Sequence, residues 1–207
     1  MGIWRGWALL LVAAALASAQ VIEFESGGLK YQTLTKNGVT IMFATLPVHV
    51  RDYAILQVAV QNGSPINWTI KAEDFVFERT DGAQFRASPA KEVVGRLIEK
   101  GSRNDVIKLV QTYEITLYGL SRFKSTNGYE QRRQAFFAEV QNTKIKAAAA
   151  ASAVAFAPSK LKAGQSTDGA IFFQNGGRPL GAGRLTIQAA GETFRFEVAE
   201  HSHHTSP

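Results

Sequence analysis

Residues 53–62, YAILQVAVQN, constrain the fold more than any other stretch of the chain. A strand sends successive side chains to opposite faces. One set here is Ala54, Leu56, Val58 and Val60; the other includes Tyr53, Ile55 and Ala59, so both faces are largely apolar. Such a strand belongs in the middle of a sheet covered on both sides. The rest of the sequence must supply both covers.

One cover comes from further strands. Residues 30–35 and 39–46 alternate and flank Asn37-Gly38, a hairpin turn whose residues tolerate positive φ. Residues 75–79 and 84–87 flank a second such turn, Asp81-Gly82. Residues 170–174, 183–189 and 192–198 are strands at the far end. In the last of these Phe194, Phe196 and Val198 point inward, and Arg195 and Glu197 point outward. About eight short strands with turn signals between them predict a mainly β (α+β) fold, a β-sandwich.

The middle of the chain is helical in pattern. Ser88-Pro89 predicts a helix start, and Val93, Val94, Leu97 and Ile98 form an apolar stripe that Gly101 ends. Asn104 or Asp105 is expected to cap a second helix, with Val106, Ile107, Val110, Tyr113 and Leu117 inward and a stop at Gly119; its Thr and Tyr content also permits a strand. Residues 129–155 are expected to form one long helix. Its apolar face is Phe136, Phe137 and Val140, it contains the alanine run 147–151, and Pro158 ends it. The expected architecture is one domain, residues 20–198, with a helical insertion at about 88–161 lying over the sandwich.

The N-terminus follows the export pattern. Arg5 supplies positive charge, residues 7–16 are an unbroken apolar run, and Ala17-Ser18-Ala19 is a small-x-small cleavage site. Residues 1–19 are therefore expected to be a signal peptide, leaving a chain that begins at Gln20 and is periplasmic, envelope-bound or secreted. The apolar run falls short of the ~20 residues that a spanning helix needs, so no transmembrane span is expected in the mature chain. The chain has no cysteine. That excludes disulfides, thiol catalysis, Cys-ligated zinc and acylation of a lipoprotein cysteine, and leaves burial to hold the fold together.

Residues 53–85 carry a hydrophobic-x-V-x-V-x-N strand, a phenylalanine strand and a DG turn. Ala163-Gly164-Gln165-Ser166-Thr167-Asp168-Gly169-Ala170-Ile171-Phe172-Phe173 and a final hairpin complete the pattern. In these features the chain resembles small exported immunoglobulin-like β-sandwich domains of bacteria, over about half of its mature length. The resemblance implies an immunoglobulin-like sandwich and is nearly silent on function. It does not extend to the helical insertion.

Charge is distributed unevenly. Residues 86–162 carry fourteen Lys/Arg against six Asp/Glu, whereas residues 20–85 carry five against seven and residues 163–207 three against four. The excess positive charge lies in the insertion. Its candidate anion or partner surface is Arg122, Lys124, Arg132, Arg133, Lys144, Lys146, Lys160 and Lys162. Outside the cytoplasm its expected partners are anionic lipid, an envelope polymer or an acidic protein, and not nucleic acid.

Other candidates are weaker. His201, His203 and His204 sit close enough to share a metal ion, but the flexible tail 199–207 is read as a polar end, and no metal or cofactor is expected. His49 has no nucleophile or carboxylate near it in sequence, so no catalytic residue is assigned. Carboxylate pairs Glu73/Asp74 and Glu92/Glu99 leave an alternative, an enzyme or enzyme subunit acting on a cell-wall polymer. Trp68 is read as core rather than as a sugar-stacking surface. Asn67-Trp68-Thr69 is formally a glycosylation sequon, and Arg178 sits in a glycine-rich inter-strand loop. The favoured function is a non-catalytic exported envelope protein that binds or supports an anionic component or a protein partner through the basic insertion.

Overall fold

The structure, a computed structural model, describes residues 20–119 and 142–199. The expected signal peptide, the tail histidines, Arg122, Lys124, Arg132, Arg133, Phe136, Phe137 and Val140 lie outside the described residues. Among the described residues the strands are β1 (Ile22–Ser26), β2 (Leu29–Lys36), β3 (Val39–Val50), β4 (Tyr53–Asn62), β5 (Trp68–Ile70), β6 (Phe75–Arg79), β7 (Gln84–Ser88), β8 (Ser159–Leu161), β9 (Ser166–Gln174), β10 (Gly183–Ala189) and β11 (Glu192–Val198). Helices α1 (Ala90–Lys100), α2 (Arg103–Gly119) and α3 (Thr143–Val154) fall between β7 and β8. The fold is mainly β, as expected.

Nine strands form one curled antiparallel sheet in the order β1-β2-β3-β4-β9-β7-β6-β10-β11, and β5 pairs with β8 apart from it. Asn37 and Gly38 turn the β2–β3 hairpin with φ of 46° and 79°, the backbone that this dipeptide was expected to supply. β4 lies between β3 and β9, well inside the sheet. β7 is the corner. It pairs with β9 only at Ala87 and Ser88, and its other residues pair with β6. Strands from before and after the helices thus interleave: β9 joins β4, and β10 joins β6.

The curl brings the two halves of the sheet face to face over one core. Leu56, Val58 and Val60 of β4 pack there with Phe75, Phe77, Phe173, Leu185, Ile187, Phe194 and Phe196. The Phe43 and Phe196 rings meet edge to face at 5.0 Å across it. Each large apolar side chain fully buried contributes about 1.5–3 kcal/mol.

The opposite face of β4 carries Tyr53, Ile55 and Ala59, and the helices cover it with Val93, Leu97, Leu109, Ala147, Ala150, Ala151 and Val154. α3 packs against both α1 and α2. Its alanines let it sit close to both helices and the sheet. At the α1 end the approach is tight enough that a Cβ added to Gly101 would lie 3.0 Å from the Ala147 Cβ.

Several boundaries differ from expectation. Ser88 does not cap α1, because it is spent in the β7 pairing with Phe172; Pro89 takes the N-cap position without a side-chain bond. Ile98 and Ile107, expected inward, are 52% and 49% exposed. At about 100° per residue, Ile98 stands about 140° round the helix from buried Val93 and clears the contact. Neither Asn104 nor Asp105 is the cap of α2. Ser102 precedes the helix, its hydroxyl accepts the Asp105 amide at 3.3 Å, and the Asp105 carboxylate accepts the Ser102 amide at 2.8 Å. This reciprocal pair is a capping box. The described part of the expected long helix begins at Thr143, behind Asn142, which is extended and accepts the Lys144 and Ile145 amides; residues 129–141 lie outside the described residues. The C-terminal end of this helix matches the expected one, with Val154 the last helical residue and Ala155 the C-cap, where Ala155 and Phe156 join the backbone of Ala170.

Candidate functional site

Of the eight cationic residues proposed from sequence, Lys144, Lys146, Lys160 and Lys162 are described, and all four are exposed. They do not form one surface. Lys144 and Lys146 are in the first turn of α3; Lys160 lies on β8 opposite Thr69, with Lys162 just beyond. The 12-residue helix α3, about 18 Å long, separates the pairs.

The fold gathers other cations instead. The Gly101–Ala147 contact brings the end of α1 against the start of α3, and only Gly101 and Ser102 separate α1 from α2. Lys100 and Arg103, both exposed, therefore share one end of the helical layer with Lys144 and Lys146. Glu99 is exposed at this end and offsets one of the charges. None of the ion pairs among the described residues involves Lys100, Arg103, Lys144 or Lys146.

Asp105 and Arg51 hold this junction rigid. The buried Asp105 carboxylate accepts the Ser102 amide and hydroxyl, each at 2.8 Å. Arg51, from the turn between β3 and β4, reaches the same carboxylate at 3.3 Å and donates to the Lys100 carbonyl at 2.6 Å. The sheet thus fixes where α1 stops and α2 starts. Sequence reasoning missed Lys100 and Arg103 as site residues, since their proximity to Lys144 depends on a tertiary contact. The S-x-x-D signature of Ser102 and Asp105 was visible.

The other candidates do not converge. His49 sits at an irregularity of the β3–β4 pairing. Burial lowers its pKa, Lys108 lowers it further, and a hydrogen bond with the Arg178 backbone acts the other way. Asp74 is occupied with the Lys71 amide at 2.9 Å. Glu92 pairs with Arg96 at 3.5 Å, seven residues and about 10 Å of helix from Glu99. Trp68 is buried in the inner core, as expected. A shallow groove between β6 and β10 is lined by Glu78, Arg79, Thr80, Gly82, Gly183 and Arg184, but its two guanidinium groups are already paired, with Asp81 and with Glu197. No helix of the described residues is long and apolar enough to cross a membrane.

Comparison of the chain with protein-family models, with curated proteins and with solved structures gives no match.

Proposed function

We propose that this chain is an exported, non-catalytic envelope protein that binds or supports an anionic envelope component, or an acidic protein partner, through its helical insertion. The observation that carries the reading is the gathering of Lys100, Arg103, Lys144 and Lys146 at one end of the helical layer, exposed and outside the ion pairs formed among the described residues. Helix stability does not account for three of them. Arg103, Lys144 and Lys146 lie in the first turns of α2 and α3, where the helix dipole is positive. A cation there opposes the dipole by about 0.3–1 kcal/mol. A bound anion reverses that sign, since it meets side-chain charge and dipole together.

The leader-like residues 1–19 support export. The two halves of the curled sheet, facing each other across one phenylalanine-rich core, support an immunoglobulin-like sandwich in which β7 bridges the sheets.

The test is retention on immobilised dextran sulfate by the chain beginning at Gln20. Binding at ~0.01 M salt, where charges act over ~30 Å, should weaken steeply by ~0.15 M. Lys144→Gln with Lys146→Gln should elute earlier while melting no lower than the parent, because the substitutions relieve the dipole. No retention at low salt, or an unchanged elution of the double variant, overturns the reading.

A further inference from the structure

We propose that the anionic component is a lipid bilayer surface, and that the chain docks on it through Ile98, Ile107 and Ile145 set among the cations; the proposal rests on the reading just given. The three isoleucines are 52%, 49% and 52% exposed. Ile98 is in the last turn of α1, Ile107 lies just over one turn into α2, and Ile145 is in the first turn of α3. These are the ends that meet at Gly101 and Ala147, so the isoleucines share the end of the helical layer that carries Lys100, Arg103, Lys144 and Lys146.

The combination selects the partner. A soluble polyanion satisfies the cations but offers nothing apolar to isoleucine. The boundary of an anionic bilayer offers both: headgroup phosphates for the ammonium and guanidinium groups, and acyl chains a few ångströms deeper for the side chains between them. Exposed isoleucines on a water-soluble face bring no folding advantage, since the helices already bury Val93, Leu97 and Leu109 on the sheet side. In a peripheral contact of this kind the two components multiply: charge steers the approach, and apolar insertion holds it.

The experiment uses the chain from Gln20 onward, so that the apolar residues 7–16 contribute nothing. Co-sedimentation is measured with phosphatidylcholine vesicles and with vesicles containing phosphatidylglycerol, and retention on immobilised dextran sulfate is measured in parallel. The parent should bind the anionic vesicles and not the neutral ones. Ile98→Ser with Ile145→Ser should weaken vesicle binding by up to roughly tenfold per isoleucine, leave dextran sulfate binding intact and leave the chain cooperatively folded. Lys144→Gln with Lys146→Gln should weaken both. If dextran sulfate binds and anionic vesicles do not, or if the serine variant binds vesicles as the parent does, the lipid assignment is overturned and the anion-binding reading survives. Binding to neither overturns both.

Discussion

The backbone of Phe156 occupies the space where a Gly169 side chain would stand: a Cβ on Gly169 would fall 2.7 Å from the Phe156 Cα and 2.8 Å from its nitrogen. β7 leaves β9 after Ala87 and Ser88, and the chain descending from α3 fills the gap through the Phe156 amide and the Ala170 carbonyl, 2.8 Å apart. The chain thereby passes from the helical face to the inner core, where the Phe156 ring meets Phe75. Gly169→Ala should therefore cost about 1–3 kcal/mol or more, because backbone, not a flexible side chain, must shift. Gly95→Ala is the contrast. Nothing lies within 4 Å of a Cβ there and the residue is inside α1, so the substitution should stabilise by about 0.5–1 kcal/mol. Urea unfolding of the two variants should move in opposite directions.

The far edge of the sheet is closed by side chains instead of a strand. Lys36 donates to the Thr193 carbonyl at 2.7 Å, with its ammonium 5.6 Å from the Phe194 ring centre, and Gln32 donates to the Glu197 carbonyl at 2.9 Å. These bonds blunt an edge that would otherwise offer its carbonyls to another chain. Lys36→Met keeps the apolar stem and loses the bond and the cation–ring contact. It should cost about 1 kcal/mol and speed amide exchange in β11 while leaving β4 protected.

What was legible in the sequence was local. β4, β6, β10 and β11 match their expected bounds to the residue, because turn dipeptides and alternation mark both ends of each. The double cover of β4 was legible for the same reason: Tyr53, Ile55 and Ala59 needed a partner layer, and Val93 and Leu97 offered one. β5 and β8 were missed because three residues carry no period. The capping box at Ser102 and the cap at Asn142 were missed because apolar periodicity was followed past them. The site was legible only in part. Lys144 and Lys146 were named, yet their neighbours Lys100 and Arg103 lie more than forty residues away in sequence, joined to them by the contact of Gly101 with Ala147.

That junction depends on Asp105. Asp105→Ala removes the acceptor of the Ser102 amide and hydroxyl and leaves Arg51 without its counter-charge. The loss should be about 1–3 kcal/mol, and Asp105→Asn, which keeps an acceptor, should lose less. Proteolysis should then cut first near Gly101 and Ser102. If the Ala variant melts with the parent and resists cleavage there, the junction is held by packing alone.

The last prediction concerns alkaline pH. Tyr31 is fully buried on the helical face of β2, its hydroxyl donating to Gln57 Oε1 at 2.7 Å. Burial disfavours the phenolate and pushes the Tyr31 pKa up to about 12. In the unfolded chain the same group titrates near 10. Between these values the unfolded chain sheds the proton and the folded chain keeps it, so rising pH draws the equilibrium toward unfolding. The stability Tyr31 protects is thus complete below about pH 10 and declines toward pH 12 by about 1.4 kcal/mol per unit. Tyr53 is also pushed up, by burial first, with the Arg96 guanidinium over its ring acting the other way, and adds to the same decline. Tyr31→Phe isolates the effect. It should cost about 1 kcal/mol at neutral pH through the lost hydrogen bond, yet show a shallower fall in urea midpoint from about pH 10 to 11. Parallel falls in the parent and the Phe variant would assign the alkaline loss to other groups.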